Sequence, residues 1–174
     1  RAIGIVGRPI ISNQDIKERG LEKYKYSAGL QKEAGMIGFS SSRGSERMVI
    51  LEGVLAALYL NHKGFKSVAI GGTSLSAAQL QALKDSGTKE LSLALDMDKA
   101  GQDATERMLR SIAGSGLRAY VVSLPEGYKA ADELVRSKGT KAFQEALDKA
   151  EGWPKWLARR ITSKHDIKTD RGKD

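Results

Sequence analysis

The feature that most restricts the fold of this chain is an alternation repeated along its length. Met48-Val49-Ile50-Leu51, a nearly pure apolar run, is followed by a helical pattern from Gly53 to about His62. Ser67-Val68-Ala69-Ile70 precedes a helix that takes Ser76 as its N-cap and closes near Gly87. Leu91-Ser92-Leu93-Ala94-Leu95 precedes a helix from Gly101 to about Ala113. Leu117-Arg118-Ala119-Tyr120-Val121-Val122 leads into two shorter helices, over about 130–138 and 140–150. Strands covered on both faces read as continuous apolar runs, so the pattern predicts an α/β fold: a mostly parallel sheet flanked by helices. Right-handed crossovers place all the strand carboxyl ends on one edge, where ligands of open sheets gather. A prediction of fold thus becomes a prediction of where to look for a site.

Two of the runs end in acid. The first terminates in Glu52-Gly53 and the third in Asp96-Met97-Asp98, although Asp and Glu are depleted in strands. Asp98 alone also reads as the cap of the helix near Gly101; that reading explains Asp96 less well and Glu52 hardly at all. Carboxylates crowded at one edge repel, and such a cluster is stable mainly when protonated or bridged by a cation. The chain has no cysteine and only two histidines, His62 and His165, far apart in sequence. Thiolate sites and disulfide frameworks are excluded, and the expected metal is a hard cation on oxygen ligands, Mg²⁺ or Mn²⁺. Its use would be to neutralise a transferring phosphoryl group and to orient or activate the attacking oxygen. Gly53 is expected to allow a sharp turn beside it. A formal charge of +8 favours a polyanionic partner. No apolar run approaches the roughly 20 residues that span a bilayer, and the opening residues do not read as a signal peptide. Because the chain opens on the strand-like Ala2-Ile3-Gly4-Ile5-Val6 without a methionine, it is expected to be part of a longer protein.

These acids resemble the Toprim signature of DnaG-type primases, topoisomerases and some nucleases. Val49-Ile50-Leu51-Glu52-Gly53 with Gly72-Thr73-Ser74-Leu75-Ser76 is similar to the primase "VVEG" strand and "LGTALT". Asp96-Met97-Asp98-Lys99-Ala100-Gly101, with Asp103-Ala104 and Arg107, resembles "DGDxAGxxAxxR". Leu124-Pro125-Glu126-Gly127 and Asp132-Glu133-Leu134-Val135 resemble "LPxGxDPDELI". The flanks, Ile3-Gly4, Gly7-Arg8, Lys23-Tyr24, Ser27 and Lys32 before, and Ser163-Lys164-His165-Asp166-Ile167 with Arg171-Gly172-Lys173 after, are similar to primase segments that other Toprim families lack.

The resemblance implies a Toprim fold over 47–150, preceded by part of a small basic α+β subdomain over 1–46 and followed by the start of a helical segment over 151–174. It implies Glu52 as the catalytic acid or base and as a metal ligand, with Asp96, Asp98 and Asp132 as further ligands of Mg²⁺ or Mn²⁺. Arg8, Lys23, Lys32 and Lys99 are expected to bind nucleic acid or nucleotide. The implied activity is metal-dependent, template-directed synthesis of RNA primers on single-stranded DNA from nucleoside triphosphates. The setting would be the cytoplasm, at the nucleoid. A replicative helicase would be contacted through regions outside this chain, and a zinc-binding template reader would precede Arg1. Two departures count against a full set of ligands: Ala56 stands one helical turn after Glu52 where primases carry an acid, and Lys129-Ala130-Ala131-Asp132 replaces "DPD" in a loop one residue longer. A Toprim nuclease and a non-catalytic nucleic-acid-binding module remain as alternatives.

Other features read more plainly. Trp153 and Trp156 are expected to anchor the end of the chain on the core rather than to stack on bases. Tyr24 and Tyr26, beside Lys23 and Lys25, make an aromatic and basic surface suited to nucleic acid. His62 suits a helix carboxyl end. The stretch 40–44 reads as a linker or exposed turn, and 17–19 and 164–173 as solvated charge.

Overall fold

The computed structural model describes residues 5–30 and 35–164. In chain order, strand β1 (Val6–Gly7), helix α1 (Asn13–Glu18), β2 (Lys25–Tyr26) and α2 (Phe39–Ser42) come first. They are followed by β3 (Arg47–Leu51), α3 (Val54–His62), β4 (Ser67–Ala69), α4 (Ala77–Asp85), β5 (Glu90–Leu93) and α5 (Lys99–Ile112). Then come β6 (Arg118–Val121), α6 (Ala131–Asp148), β7 (Glu151–Gly152) and α7 (Trp153–Lys164). The four strands that the apolar runs predicted lie parallel in one sheet, which the short antiparallel edge strand β7 extends to the order β4-β3-β5-β6-β7. Two residues are too few to carry a period, which is why β7 was not legible in the sequence.

Residues alternate across a pleated strand, and β3 divides its side chains accordingly. Met48 and Ile50 enter a core with Leu83 of α4, Met108 and Ile112 of α5 and Trp156 of α7. Val49 and Leu51 enter the opposite core with Ala57 and Leu60 of α3 and Leu134 and Phe143 of α6. Both faces of the sheet are therefore covered by helices. The segment over 130–150 is the two helices expected, separated at Gly139, whose φ of 81° and ψ of 174° interrupt α6.

Ser76 caps α4: its hydroxyl accepts the Gln79 N–H at 3.0 Å, and the Gln79 side chain accepts the Ser76 N–H at 3.0 Å. Buried Gln79 also donates to the carbonyl of Gly35 at 2.8 Å, tying the amino-terminal segment to the sheet body. Ser76→Ala is expected to lower stability by about 1 kcal/mol, read as a shift of the urea midpoint at unchanged m-value. A midpoint that stayed put would show the capping box to be unimportant.

The stretch 40–44 departs from the reading as a linker or exposed turn at one residue. Part of it lies in α2, and Ser42 is completely buried. Its hydroxyl bonds Asn61 Oδ1 at 2.8 Å and the Ser67 carbonyl at 3.1 Å. Ser40, Ser41, Arg43 and Gly44 are exposed, as a linker or exposed turn requires, and Ser42 alone is drawn into the interior by its long-range polar partners. The expected opening strand is only partly visible: β1 begins at Val6, pairs antiparallel with β2, and residues 1–4 lie outside the described residues.

The tryptophans anchor α7, as expected. Trp156 is buried, Trp153 packs against the same core, and Arg160 lies 5.4 Å from the Trp156 ring centroid. The Arg160 guanidinium also pairs with Asp103 and Glu106 of α5. His62 ends α3, and residues 17–19 are exposed. The charged tail beyond 164 lies outside the described residues. Among those described, no helix is long and apolar enough to cross a membrane.

Candidate functional site

β3 and β5 are parallel neighbours, with Ile50 opposite Leu93. The Ala94 N–H extends the ladder to the Ile50 carbonyl at 3.0 Å. Glu52 and Asp96 therefore leave adjacent strands at the same edge. The Met97 N–H donates to the Lys129 carbonyl at 2.9 Å, which fixes the loop before α6 against the end of β5 and delivers Asp132, in the first turn of α6, to that edge. Glu133 follows it and accepts the Lys129 N–H at 3.0 Å.

These acids line one side of a cavity of about 550 Å³. The other side comes from the β1–β2 segment and includes Arg8, Lys23, Tyr24 and Tyr26. Arg8 is partly organised: it donates to Asn13 Oδ1 at 2.8 Å, and its guanidinium lies 5.7 Å from the centroid of Tyr24. Ile37 pairs with Ala69 of β4 through two backbone hydrogen bonds of 2.9 Å.

The electrostatics of the two sheet edges differ. At the amino-terminal edge Glu90 is matched by Arg118 at 2.7 Å and Arg47 at 2.8 Å, and these bonds, Arg118's first, hold its carboxyl below the usual range. At the carboxyl edge Asp96 is pushed the other way. Burial raises its proton affinity most, the charges of Glu52 and Asp98 add to the effect, Lys23 opposes it, and Asp132 raises it further. Negative charge is in surplus there.

The helix that follows Asp96 depends on a close approach. A methyl group at Gly101 would sit 2.7 Å from the Asp96 carbonyl carbon and closer still to its oxygen. Only glycine lets the first turn of α5 lie against that backbone. Gly53, by contrast, has φ −82° and ψ 124°, which any residue adopts. A Cβ there would meet the Ala56 Cβ at 3.4 Å. The glycine-dependent turn expected at Gly53 is therefore not found.

Of the residues singled out from sequence, Glu52, Asp96, Asp132, Arg8 and Lys23 share the cavity wall. Asp98 does not line it; its carboxylate caps α5, accepting the Gly101 N–H at 2.9 Å, while its charge still reaches Asp96. Lys99 is exposed on the first residue of α5 and away from the cavity wall. Lys32 lies outside the described residues. Ala56, Ala130 and Ala131 are in the wall, so the departures from the primase pattern fall inside the site. Sequence reading missed Glu133 and Asn13 as cavity residues. The signal for Glu133 was present in its place beside Asp132; Asn13 carried none.

Among the described residues no three acids or histidines converge tightly enough to enclose a metal ion. The surplus charge fits instead a hydrated divalent cation that takes one or two carboxylates and fills its remaining positions with water or phosphate oxygen, as Mg²⁺ commonly does.

The Toprim-like family profile matches residues 49–135. A DNA primase of Myxococcus xanthus is 34% identical over 124 residues, covering 68% of this chain and 20% of the relative. The E. coli primase catalytic core superposes with a TM-score of 0.78 at 26% identity, over 99% of this chain and 56% of that one. A DnaG primase catalytic domain solved bound to single-stranded DNA superposes at 0.79 and 25% identity, over 99% and 55%. The chain spans about a fifth of the length of the curated relatives it matches. With the profile covering half its residues, and the sheet order and acidic edge in place, this chain belongs to the Toprim-like family and shares the fold of the DnaG-type primase catalytic core.

Proposed function

We propose that this chain is the Toprim part of a DNA primase catalytic core, which joins ribonucleotides on a single-stranded DNA template with Mg²⁺ or Mn²⁺. The observation that carries this reading is the cavity whose wall holds Glu52, Asp96 and Asp132 together with Arg8 and Lys23. Acids alone would serve a cation; acids and bases in one wall serve a cation together with a polyphosphate.

Asp96 and Asp132 would hold the metal, with Glu52 and the charge of Asp98 beside them. Bound there, the cation supplies neutralisation of negative charge on the phosphoryl group in transfer. A Glu52 carboxylate oxygen takes the proton of the primer 3′-hydroxyl as that oxygen attacks the α-phosphorus and pyrophosphate departs. Arg8 and Lys23 pair with the triphosphate or template phosphates, and Tyr24, beside Arg8, offers a ring face to a base. Lys32 and Lys99 would extend the basic surface. We read 1–46 as part of the basic subdomain, 47–150 as the Toprim domain and 151–174 as the start of a helical segment. The first boundary is supported by the change from the two-stranded to the five-stranded sheet. Contact with a replicative helicase, through parts of the protein outside this chain, and a cytoplasmic setting at the nucleoid belong to the same proposal.

The test is incorporation of labelled ribonucleotides on a single-stranded template, with unmodified protein and with Glu52→Gln. Loss of a general base typically costs about 10²–10⁴-fold in rate, and a fall of that size is expected. Cleavage of the template without added nucleotides would replace this reading with a nuclease. Template binding with no metal-dependent chemistry, unaffected by Glu52→Gln, would make the chain a binding module, the outcome that Ala56 and Ala130 favour.

A further inference from the structure

Outside the cavity, an excess of positive charge lies along the seam where α3 packs on α6. No acidic residue occurs between Glu52 and Asp85, or between Glu133 and Glu145, whereas these stretches hold His62, Lys63, Lys66, Lys84, Arg136, Lys138 and Lys141. The fold brings several of these together. Arg136 lies 4.2 Å and Lys63 5.5 Å from the centroid of the same ring, Tyr59. Beside them a shallow groove is lined by Lys63, Phe65, Thr140 and Lys141, where α6 is interrupted at Gly139. The amino-terminal edge is different: Arg47 and Arg118 share Glu90, and Lys89 has Glu46. On the seam, the carboxylate that pairs with Arg136 is Asp132, at 3.5 Å.

That pair joins the seam to the cavity, because Asp132 lies in the cavity wall. Arg136, one helical turn on from Asp132, leads from that wall to the ring it shares with Lys63. We propose that the α3–α6 seam is a second nucleic-acid contact surface, a phosphodiester track on which Lys63 and Lys141 bind backbone phosphates of a strand extending out of the cavity past Asp132 and Arg136. Two cations drawn to one aromatic ring repel each other, and a phosphate between them relieves that repulsion. A sequence-independent backbone is the chemistry such a surface takes: it offers charge at intervals and few directional acceptors or donors. The proposal rests on the cavity reading, since the track is continuous with that site.

The experiment compares fluorescent single-stranded oligonucleotides of about 6 and about 20 nucleotides, titrated at several salt concentrations against the unmodified chain and a Lys63→Gln/Lys141→Gln variant. Both lysines are exposed, so folding is not at stake, and matching thermal melts check this. The longer strand is expected to bind the variant about 10-fold more weakly at low salt, with its log–log salt slope reduced by about 1.4, at roughly 0.7 per phosphate contact on a single strand. The short strand is expected to be unchanged. An Arg8→Gln/Lys23→Gln variant reads the cavity separately and should weaken both lengths. If the lysine variant leaves the long strand's slope intact, the track does not exist, whatever the cavity does. Equal weakening of both lengths would also overturn it, because the lysines would then act through the general field alone.

Discussion

Gly101→Ala is expected to destabilise the protein by about 3 kcal/mol or more, a fall in Tm of roughly 6–12 °C for a chain of this size. The added methyl has no flexible side chain to displace, since it meets the main-chain carbonyl of Asp96. Relief requires α5 to move from the end of β5. Met108 and Ile112 of α5 pack against Leu93 and Trp156 in the same core, so that movement is resisted along the helix. Gly72→Ala is the matched control: it has no atom within 4 Å of its added Cβ and no left-handed backbone, and its Tm is expected to change little. Similar Tm values for the two variants would mean that the approach of α5 to Asp96 is looser than described. The same displacement would move the Asp96 carboxylate, so Gly101→Ala is also expected to weaken divalent-cation binding in protein that remains folded.

Asp96→Asn is expected to separate stability from function. In the folded protein the Asp96 carboxyl binds its proton more tightly than an ordinary carboxylate, chiefly through burial and then through Glu52 and Asp98. Between the ordinary carboxylate pKa and the raised one, the folded state holds more proton than the unfolded state. Stability therefore falls as pH rises through that window, and the full cost is present above it. Asparagine removes the charge and with it the cost. The metal-free variant should be the more stable above that window, read as a higher Tm, with the gain reduced by the solvent that screens this half-buried group. The gain should vanish below the usual carboxylate range, where the unmodified residue is protonated in both states. Calorimetric titration with Mn²⁺ or Mg²⁺ is expected to show binding by the unmodified chain and at least about a 10-fold loss in the variant. A variant less stable above that window, or one that binds Mn²⁺ as well as the unmodified chain, would remove Asp96 from the centre of the site.

Much of the architecture was legible because it rests on periods that the residues themselves carry. Apolar runs such as 48–51 and 91–95, each followed by helical spacing, state a parallel sheet covered on both faces, and the crossover rule then names one edge. Glu52 and Asp96 stood out because acids are rare at the ends of such runs, and the Toprim resemblance added Asp132, Arg8 and Lys23. What failed were inferences from local composition. The serines near 42 look like a linker, yet Ser42 is enclosed by Asn61 and Ser67. Gly53 looks like an obligatory turn, yet its dihedral angles suit any residue, while the demanding glycine is Gly101.

The strand–helix order, the acids at the strand ends and the excess of positive charge are properties of neighbours along the chain and can be read there. Which charges meet is set by packing. It assigned Asp98 to a helix cap, put Glu133 and Asn13 into the cavity, brought Arg8 and Lys23 into one wall with the acids, and set Lys63 and Arg136 at one ring. Coulomb energies depend on distance and burial, and sequence separation fixes neither for residues brought together by packing.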